Sequence, residues 1–272
     1  MKAGYDTEGG RSVGRFLGMA MREETQPDGP VRVCADVRAS SAVLDAEGRL
    51  HAGALFTMVD CIGGFCGGLG ALPDGWVVTT NLMVRSASPV VAGPVSFETE
   101  VLRRGRSAVV TSVRATDADG QFVVAGTVTS AVLVPEGGVP QWERPARLEL
   151  VEEPDIAFDE FVATEPTPDG VILELADDLR NPWGFMHGGV TSAIVDAAAR
   201  RLAQATTTTD LVLHYLAPAR IGPVRASGAS ATPAARRAAI RSASLGRFAV
   251  EVAGSASSHS RSARRHRCGS QR

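Results

Sequence analysis

Two stretches of this chain set a histidine ahead of an aspartate at one spacing. His51 is followed nine positions later by Asp60 in HAGALFTMVD, and His187 nine positions later by Asp196 in HGGVTSAIVD. Imidazoles and carboxylates are the side chains that carry general acid–base work, and a carboxylate is also a nucleophile. Gly188 and Gly189 stand where a helix would begin, and the first N–H groups of a helix lack an intrahelical acceptor and carry the positive end of its dipole. Such a donor stabilises negative charge developing on an attacked carbonyl oxygen, and glycine lets a substrate approach the backbone. Asn181, six positions before His187, has an amide able to orient a water or a leaving group. Six before His51 stands Asp45, and Ala52 occupies the place of Gly188.

An aspartate nine residues beyond its histidine lies two turns into the helix, about 12 Å away along an axis that rises roughly 1.5 Å per residue. Asp196 therefore does not complete the site that His187 opens, and a second helix has to bring the carboxylate. The chain carries a second copy of the pattern. NLMVRSASPVVAGPV (81–95) answers DLVLHYLAPARIGPV (210–224), with Pro89, Gly93, Pro94 and Val95 on Pro218, Gly222, Pro223 and Val224 at a constant offset of 129. The offset is 136 at the histidines and 141 where Pro27-Asp28-Gly29 answers Pro168-Asp169-Gly170. Small deletions between elements explain the drift, since loops absorb them most easily. Two copies are too few for a solenoid, so each is expected to be a compact unit packed on the other. The expected layout is an N-terminal unit at 12–134, a proline-rich and acidic linker at 135–157, a C-terminal unit at 158–257 and an arginine-rich tail at 258–272.

Each unit shows one helical pattern and several strand-like runs. The first helix begins after His51, with Ala54, Leu55, Met58, Val59 and Ile62 on one face, and is expected to end in the glycines of GGFCGGLG. The second carries Val190, Ala193, Ile194 and Ala197 and reaches Leu202. Strands are expected at 30–38, 76–87, 94–103, 107–117 and 121–134, and again at 170–177, 208–217, 223–231, 236–244 and 247–257. Strand, long helix, then hairpin-linked strands is the order of an α+β unit whose antiparallel sheet covers one helix.

The 272 residues include 44 % apolar and 21 % charged ones, with a net charge of -2. That is ordinary globular composition, and it implies neither a nucleic-acid nor a membrane partner. Apolar runs are interrupted before the roughly 18 residues of a membrane span, and MKAGYDTEGGRSVGRF holds no apolar signal core, so the expected compartment is the cytoplasm. Cys34, Cys61, Cys66 and Cys268 lack paired spacing and are expected as free thiols, with no metal. Lys2 is the only lysine, and the last fourteen residues hold five arginines and no acid, a solvated tail.

Asn181 to Gly189, with Asp196, resembles the signature of the hotdog-fold acyl-CoA thioesterases, specifically their phenylacetyl-CoA thioesterase-like branch. That pattern places an Asn six residues before His-Gly-Gly and an Asp nine after the His, and the resemblance spans both halves. It implies a tandem hotdog of class α+β, two units each with an antiparallel sheet wrapped around one long helix, their sheets joined edge to edge. It implies hydrolysis of an acyl-CoA thioester to free acid and coenzyme A, with no resident cofactor. In that family the Asp comes from the partner unit, which a tandem chain supplies from its own other half.

Site one then joins Asp60 to Asn181, His187 and Gly188, with Thr79, ten positions before Pro89, holding the attacking water. Asp60 is its general base or its nucleophile. Site two joins Asp196 to Asp45, His51, Ala52 and Thr208, and is expected to be weak or silent, because Asp45 adds a second carboxylate near the developing oxyanion. Gly189, Arg104 and Arg106 are substrate-binding candidates, the arginines through coenzyme A phosphates, with Arg236 and Arg237 in the other half. Trp183 and Phe185 line the acyl pocket or pack the loop. His214 aligns with Arg85 and reads as structural. A non-catalytic acyl-CoA sensor is the alternative, although a sensor does not need the Asp60 carboxylate. A dehydratase is disfavoured, because no Asp–His pair five residues apart precedes a glycine. The whole chain is expected to dimerise.

Overall fold

Along several strands every second residue is buried, as in β5, where Val109, Thr111, Val113 and Ala115 point inward. That alternation gives a sheet with one dry face, and the dry face needs a helix to cover it. The computed structural model describes residues 12–45, 47–87, 93–134, 136–149, 154–230, 237–242 and 248–253. In chain order its elements are α1 (Val13–Phe16), β1 (Met19–Glu23), β2 (Arg32–Val37), α2 (Ala52–Ala71), β3 (Trp76–Ser86), β4 (Val95–Arg104), β5 (Ala108–Thr116), β6 (Phe122–Leu133), β7 (Arg147–Glu149), α3 (Phe158–Val162), β8 (Glu165–Thr167), β9 (Gly170–Leu173), α4 (Gly188–Ala203), β10 (Asp210–Tyr215), β11 (Val224–Ser230), β12 (Arg237–Ser242) and β13 (Phe248–Ala253).

The strands form one 13-stranded antiparallel sheet in the order β7-β1-β2-β4-β5-β6-β3-β10-β13-β12-β11-β9-β8. Read outward from the β3–β10 seam, the two arms have the same plan. β3-β6-β5-β4-β2-β1 on one side answers β10-β13-β12-β11-β9-β8 on the other. At the seam Asp210 pairs with Arg85 and His214 with Asn81. Arg85 Nε donates to Asp210 Oδ1 at 2.7 Å, and Asn81 Nδ2 lies 2.9 Å from His214 Nδ1, which gives that histidine a partner in the sheet. The expected α+β architecture, two sheet-wrapped helices with the sheets joined edge to edge, is the observed one.

The helix α2 runs on through the glycines expected to end it. A Cβ at Gly63 would fall 2.4 Å from Val128 Cγ2, one at Gly68 2.5 Å from the Trp76 ring, and one at Gly70 2.7 Å from Val101 Cγ2. These glycines let the strands lie close against the helix, and that burial outweighs the ~1 kcal/mol of helix propensity each one loses. The result is a 20-residue helix with mean hydropathy 1.5, long and apolar enough to cross a membrane, contrary to the expectation of shorter runs. In this fold 94 % of its apolar window is buried.

The segment expected as linker is also more structured than its composition implies. β7 pairs with β1 at the sheet edge. Glu23 accepts from Arg144 and from Ala146 N–H, which ties the segment down, and the Trp142 ring lies 5.1 Å from Phe65 and 6.2 Å from Trp76. The basic tail, Cys268 and Arg236 lie outside the described residues.

Candidate active site

The two helices pack in opposite directions, so that Gly53 faces Ala193 and Thr57 faces Gly189. Thr57 Oγ1 donates to Gly53 O at 2.7 Å and approaches Gly189 O at 2.9 Å, which fixes the crossing. Opposed helices with this register bring residues two turns into one helix beside the first residues of the other. Asp60 therefore meets the start of α4, and Asp196 the start of α2.

At the first crossing Asp60 is 4 % exposed, and its Oδ1 accepts from Thr79 Oγ1 at 2.8 Å. A Cβ at Gly188 would lie 2.7 Å from Asp60 Oδ2 and 2.9 Å from Oδ1, so only glycine lets the carboxylate sit against the helix N-terminus. Burial raises the Asp60 carboxyl above the ordinary range, partly offset by His187, the Thr79 hydroxyl and the Gly189 amide. This is a carboxylate whose basicity is increased by its surroundings.

His187 caps α4 with its own ring, since Gly189 N–H donates to Nδ1 at 3.0 Å. Nδ1 is then an acceptor and the ring proton sits on Nε2, 3.5 Å from Cys61 Sγ. Nδ1 also lies 3.4 Å from Asp60 Oδ2, an ion pair by distance alone. The shorter, well-directed Gly189 bond decides between the two readings, and the ring is neutral. Burial pushes its pKa down despite the nearby Asp60, which agrees.

Asn181 acts on the loop. Its Oδ1 accepts from Trp183 N at 3.0 Å and Phe185 N at 3.1 Å, which closes the turn leading to His187. Tyr215 was not singled out in the sequence, where it aligns with Ser86 and carries no repeat signal. Its hydroxyl donates to Gly188 O at 2.9 Å, and burial with the Asp60 charge keeps it un-ionised.

A cavity of about 390 Å³ opens over these groups. Asp60, Thr79, Asn181, His187 and Gly188 all line it. Trp76, Val77 and Leu133 form an apolar wall from the first half. Trp183 and Phe185 line it from the second, so they serve the pocket as well as the loop, and Trp183 Nε1 donates to Val77 O at 3.2 Å. Arg104 and Arg106 do not line it. Arg104 pairs with Asp74 and reaches Ala71 O, capping the end of α2, and Arg106 is exposed on the hairpin. The cation at the cavity is Arg220, whose guanidinium stacks 4.2 Å over the Phe185 ring. A lone arginine in a proline-rich loop gave no signal by which sequence could single it out.

The second crossing has a different composition. Asp196 is fully buried, and its Oδ2 pairs with Arg200 Nε at 2.9 Å. The Arg200 guanidinium extends to within 3.1 Å of His51 Nε2, and that nitrogen is 3.1 Å from Asp159 Oδ1. Asp45 faces its own turn, bonded to Arg49 Nε at 2.8 Å and to the Glu47 and Arg49 amides, and despite burial these bonds hold its carboxyl low. Ala52 carries the methyl that would collide at Gly188. Thr208 is buried outside the cavity of about 420 Å³ that holds Asp45, His51 and Arg200. The five residues expected here are thus not gathered as their counterparts are. Arg200 stands where α2 has Gly64, at the offset of 136 that relates the histidines.

The family model of the thioesterase superfamily matches residues 47–124, the part that holds Asp60 and Thr79. No curated protein matches the chain. Among solved structures, an acyl-ACP thioesterase from Bacteroides thetaiotaomicron superposes with a TM-score of 0.58 at 15 % identity, covering 82 % of this chain and 98 % of that one. The chain has the hotdog fold. A thioesterase from Haemophilus influenzae aligns at 20 % identity over 43 % of this chain and 80 % of its own, with a TM-score of 0.38. A hypothetical thioesterase from Streptococcus pneumoniae, solved with coenzyme A, aligns at 23 % identity over 44 % and 88 %, with a TM-score of 0.35. The match to the Bacteroides protein, at 82 % of this chain, extends over both halves.

Proposed function

We propose that this protein hydrolyses an acyl thioester carried by coenzyme A, at the composite site where Asp60 of one half meets His187, Gly188 and Gly189 of the other. The observation that carries the proposal is the buried Asp60 carboxylate held against the start of α4 and opening onto an apolar cavity. On this reading residues 12–134 and 158–257 are the two hotdog units of a tandem duplication, with 135–157 between them. The spacing of Asn181, His187 and Asp196 supports the phenylacetyl-CoA thioesterase-like branch.

A water activated by Asp60 attacks the thioester carbonyl carbon, and the carboxylate takes its proton. The carbonyl oxygen gathers negative charge beside the Gly188 N–H and the His187 Nε2–H. One such donor contributes about 3 kcal/mol to lowering the barrier. Collapse breaks the C–S bond, and the departing thiolate recovers the proton from Asp60, whose raised pKa suits it to give the proton back. If Asp60 attacks directly, the C–S bond breaks as an acyl-aspartyl anhydride forms, the coenzyme A thiolate leaves and takes a proton from solvent, and water then cleaves the anhydride to the free acid and the Asp60 carboxylate. Arg220 at the cavity rim supports a carrier with anionic phosphates.

Thiol release measured over a panel of coenzyme A and acyl-carrier-protein thioesters tests the proposal. Turnover of coenzyme A thioesters is expected. Tight binding without turnover would replace the hydrolase with a ligand sensor.

A further inference from the structure

Of the 20 residues in α2, Gly64 alone is not buried. It lines the cavity, and a Cβ built there meets nothing within 4 Å among the described residues. The same helix uses Gly63, Gly68 and Gly70 to seat the strands, where a Cβ would clash. Packing therefore accounts for those glycines and leaves Gly64 unexplained, although a residue with a side chain would favour the helix.

Gly64 lies one turn beyond Asp60 on the same face of α2, about 6 Å along the axis. Strand β3 runs back along the helix in this direction. Thr79 sits at Asp60, Val77 within 3.9 Å of a Cβ at Gly67, and Trp76 against Gly68. The wall on that side is apolar, formed by Trp76, Val77 and Leu133, whereas the other half contributes Asn181 and the cation Arg220 alongside its own apolar residues Trp183 and Phe185. An acyl chain leaving the thioester toward the apolar wall passes Gly64, and an anionic carrier leaves toward Arg220. The corresponding position in α4 shows what a side chain does there. Arg200 fills the space one turn beyond Asp196 and pairs with its carboxylate at 2.9 Å.

We infer that Gly64 is the position that sets the length of acyl group the cavity accepts, and that the missing side chain is kept free for the substrate. The inference rests on the thioesterase reading of this site. It predicts that Gly64→Ala and Gly64→Leu lower kcat/KM more for each added pair of acyl carbons. Across saturated coenzyme A thioesters from acetyl to dodecanoyl, the dodecanoyl-to-acetyl ratio falls roughly tenfold or more for Gly64→Leu, with Gly64→Ala between. Both variants are expected to melt no lower than wild type, since no contact is lost. Equal losses at every chain length, or none, would overturn it, because the room would then hold the carrier arm or nothing. If the wild-type protein hydrolyses none of the panel, the catalytic reading fails. This inference is then tested by quenching of Trp76 and Trp183 fluorescence on titration with the same thioesters, where Gly64→Leu should weaken binding progressively with chain length and a length-independent effect would refute it.

Discussion

Asp60 Oδ2 and His187 Nδ1 lie 3.4 Å apart, one from each half of the chain, with the Gly189 N–H donating to the imidazole. That amide bond occupies Nδ1 and burial lowers the imidazole pKa, so a neutral ring stands beside the buried carboxylate without neutralising it. Across the helix pair, Asp196 is instead neutralised by Arg200.

That contrast has a consequence for stability. Burial raises the Asp60 pKa in the folded protein, so the fold binds this proton more tightly than the unfolded chain does. The associated stability is fully present below the ordinary carboxylate value of about 3.9 and is lost as pH rises through the folded pKa. Asp60→Asn is therefore expected to raise Tm at pH 7, by an amount that shrinks as pH falls through that window. Thermal melts of both proteins from pH 4 to 8 check it, and a variant less stable at pH 7 would contradict the sign.

Thr79 donates to Asp60 Oδ1 and lowers its pKa against the effect of burial. Thr79→Val keeps the shape and removes the bond. The acid limb of the kcat/KM profile, which in wild type should lie above the ordinary carboxylate range, should move to still higher pH, with roughly a tenfold loss of rate near neutrality. An unmoved limb would mean that another group governs it.

Gly188→Ala places a methyl 2.7 Å from Asp60 Oδ2 and must displace the carboxylate. A displacement on the order of 1 Å lowers kcat by about 10²-fold. Substrate affinity measured alongside should change far less, and a normal kcat would show that the carboxylate does not need this seat.

Asp196→Asn removes the partner of a largely buried cation. Arg200 keeps His51 nearby but no carboxylate in its former geometry. A loss of about 2–4 kcal/mol in denaturant unfolding is expected. An unchanged midpoint would show that Arg200 finds a replacement partner.

Much of this was legible in the chain because the repeat preserves register. The strand runs and both helices followed from periodicity and matched spacings, and the need for a second helix from the roughly 12 Å that separate a histidine from its own aspartate; the edge-to-edge sheets and the crossing of Asp60 to His187 were implied by the resemblance to the hotdog thioesterases. Other features lie in packing, which spacing does not encode. GGFCGGLG reads as a helix end because glycine disfavours helices, but Val128, Trp76 and Val101 use that absence of side chains to lie close. Arg104 reads as a phosphate ligand from its basic neighbours, and in the fold it caps α2. Tyr215 and Arg220 have no counterpart in the repeat and become visible only when the end of β10 and the loop after it are folded against the cavity. Arg200 is one of two arginines in tandem, and its role in occupying the second site depends on which of them faces Asp196.

The central claim is that one of the two crossings works and that its carboxylate comes from the half opposite its histidine. Steady-state hydrolysis of a coenzyme A thioester by Asp60→Asn and by Asp196→Asn, compared at temperatures well below each variant's Tm, tests it most directly. The account predicts a loss of about 10²-fold or more in kcat for Asp60→Asn and little change for Asp196→Asn. Equal losses, or full activity in Asp60→Asn, would contradict it.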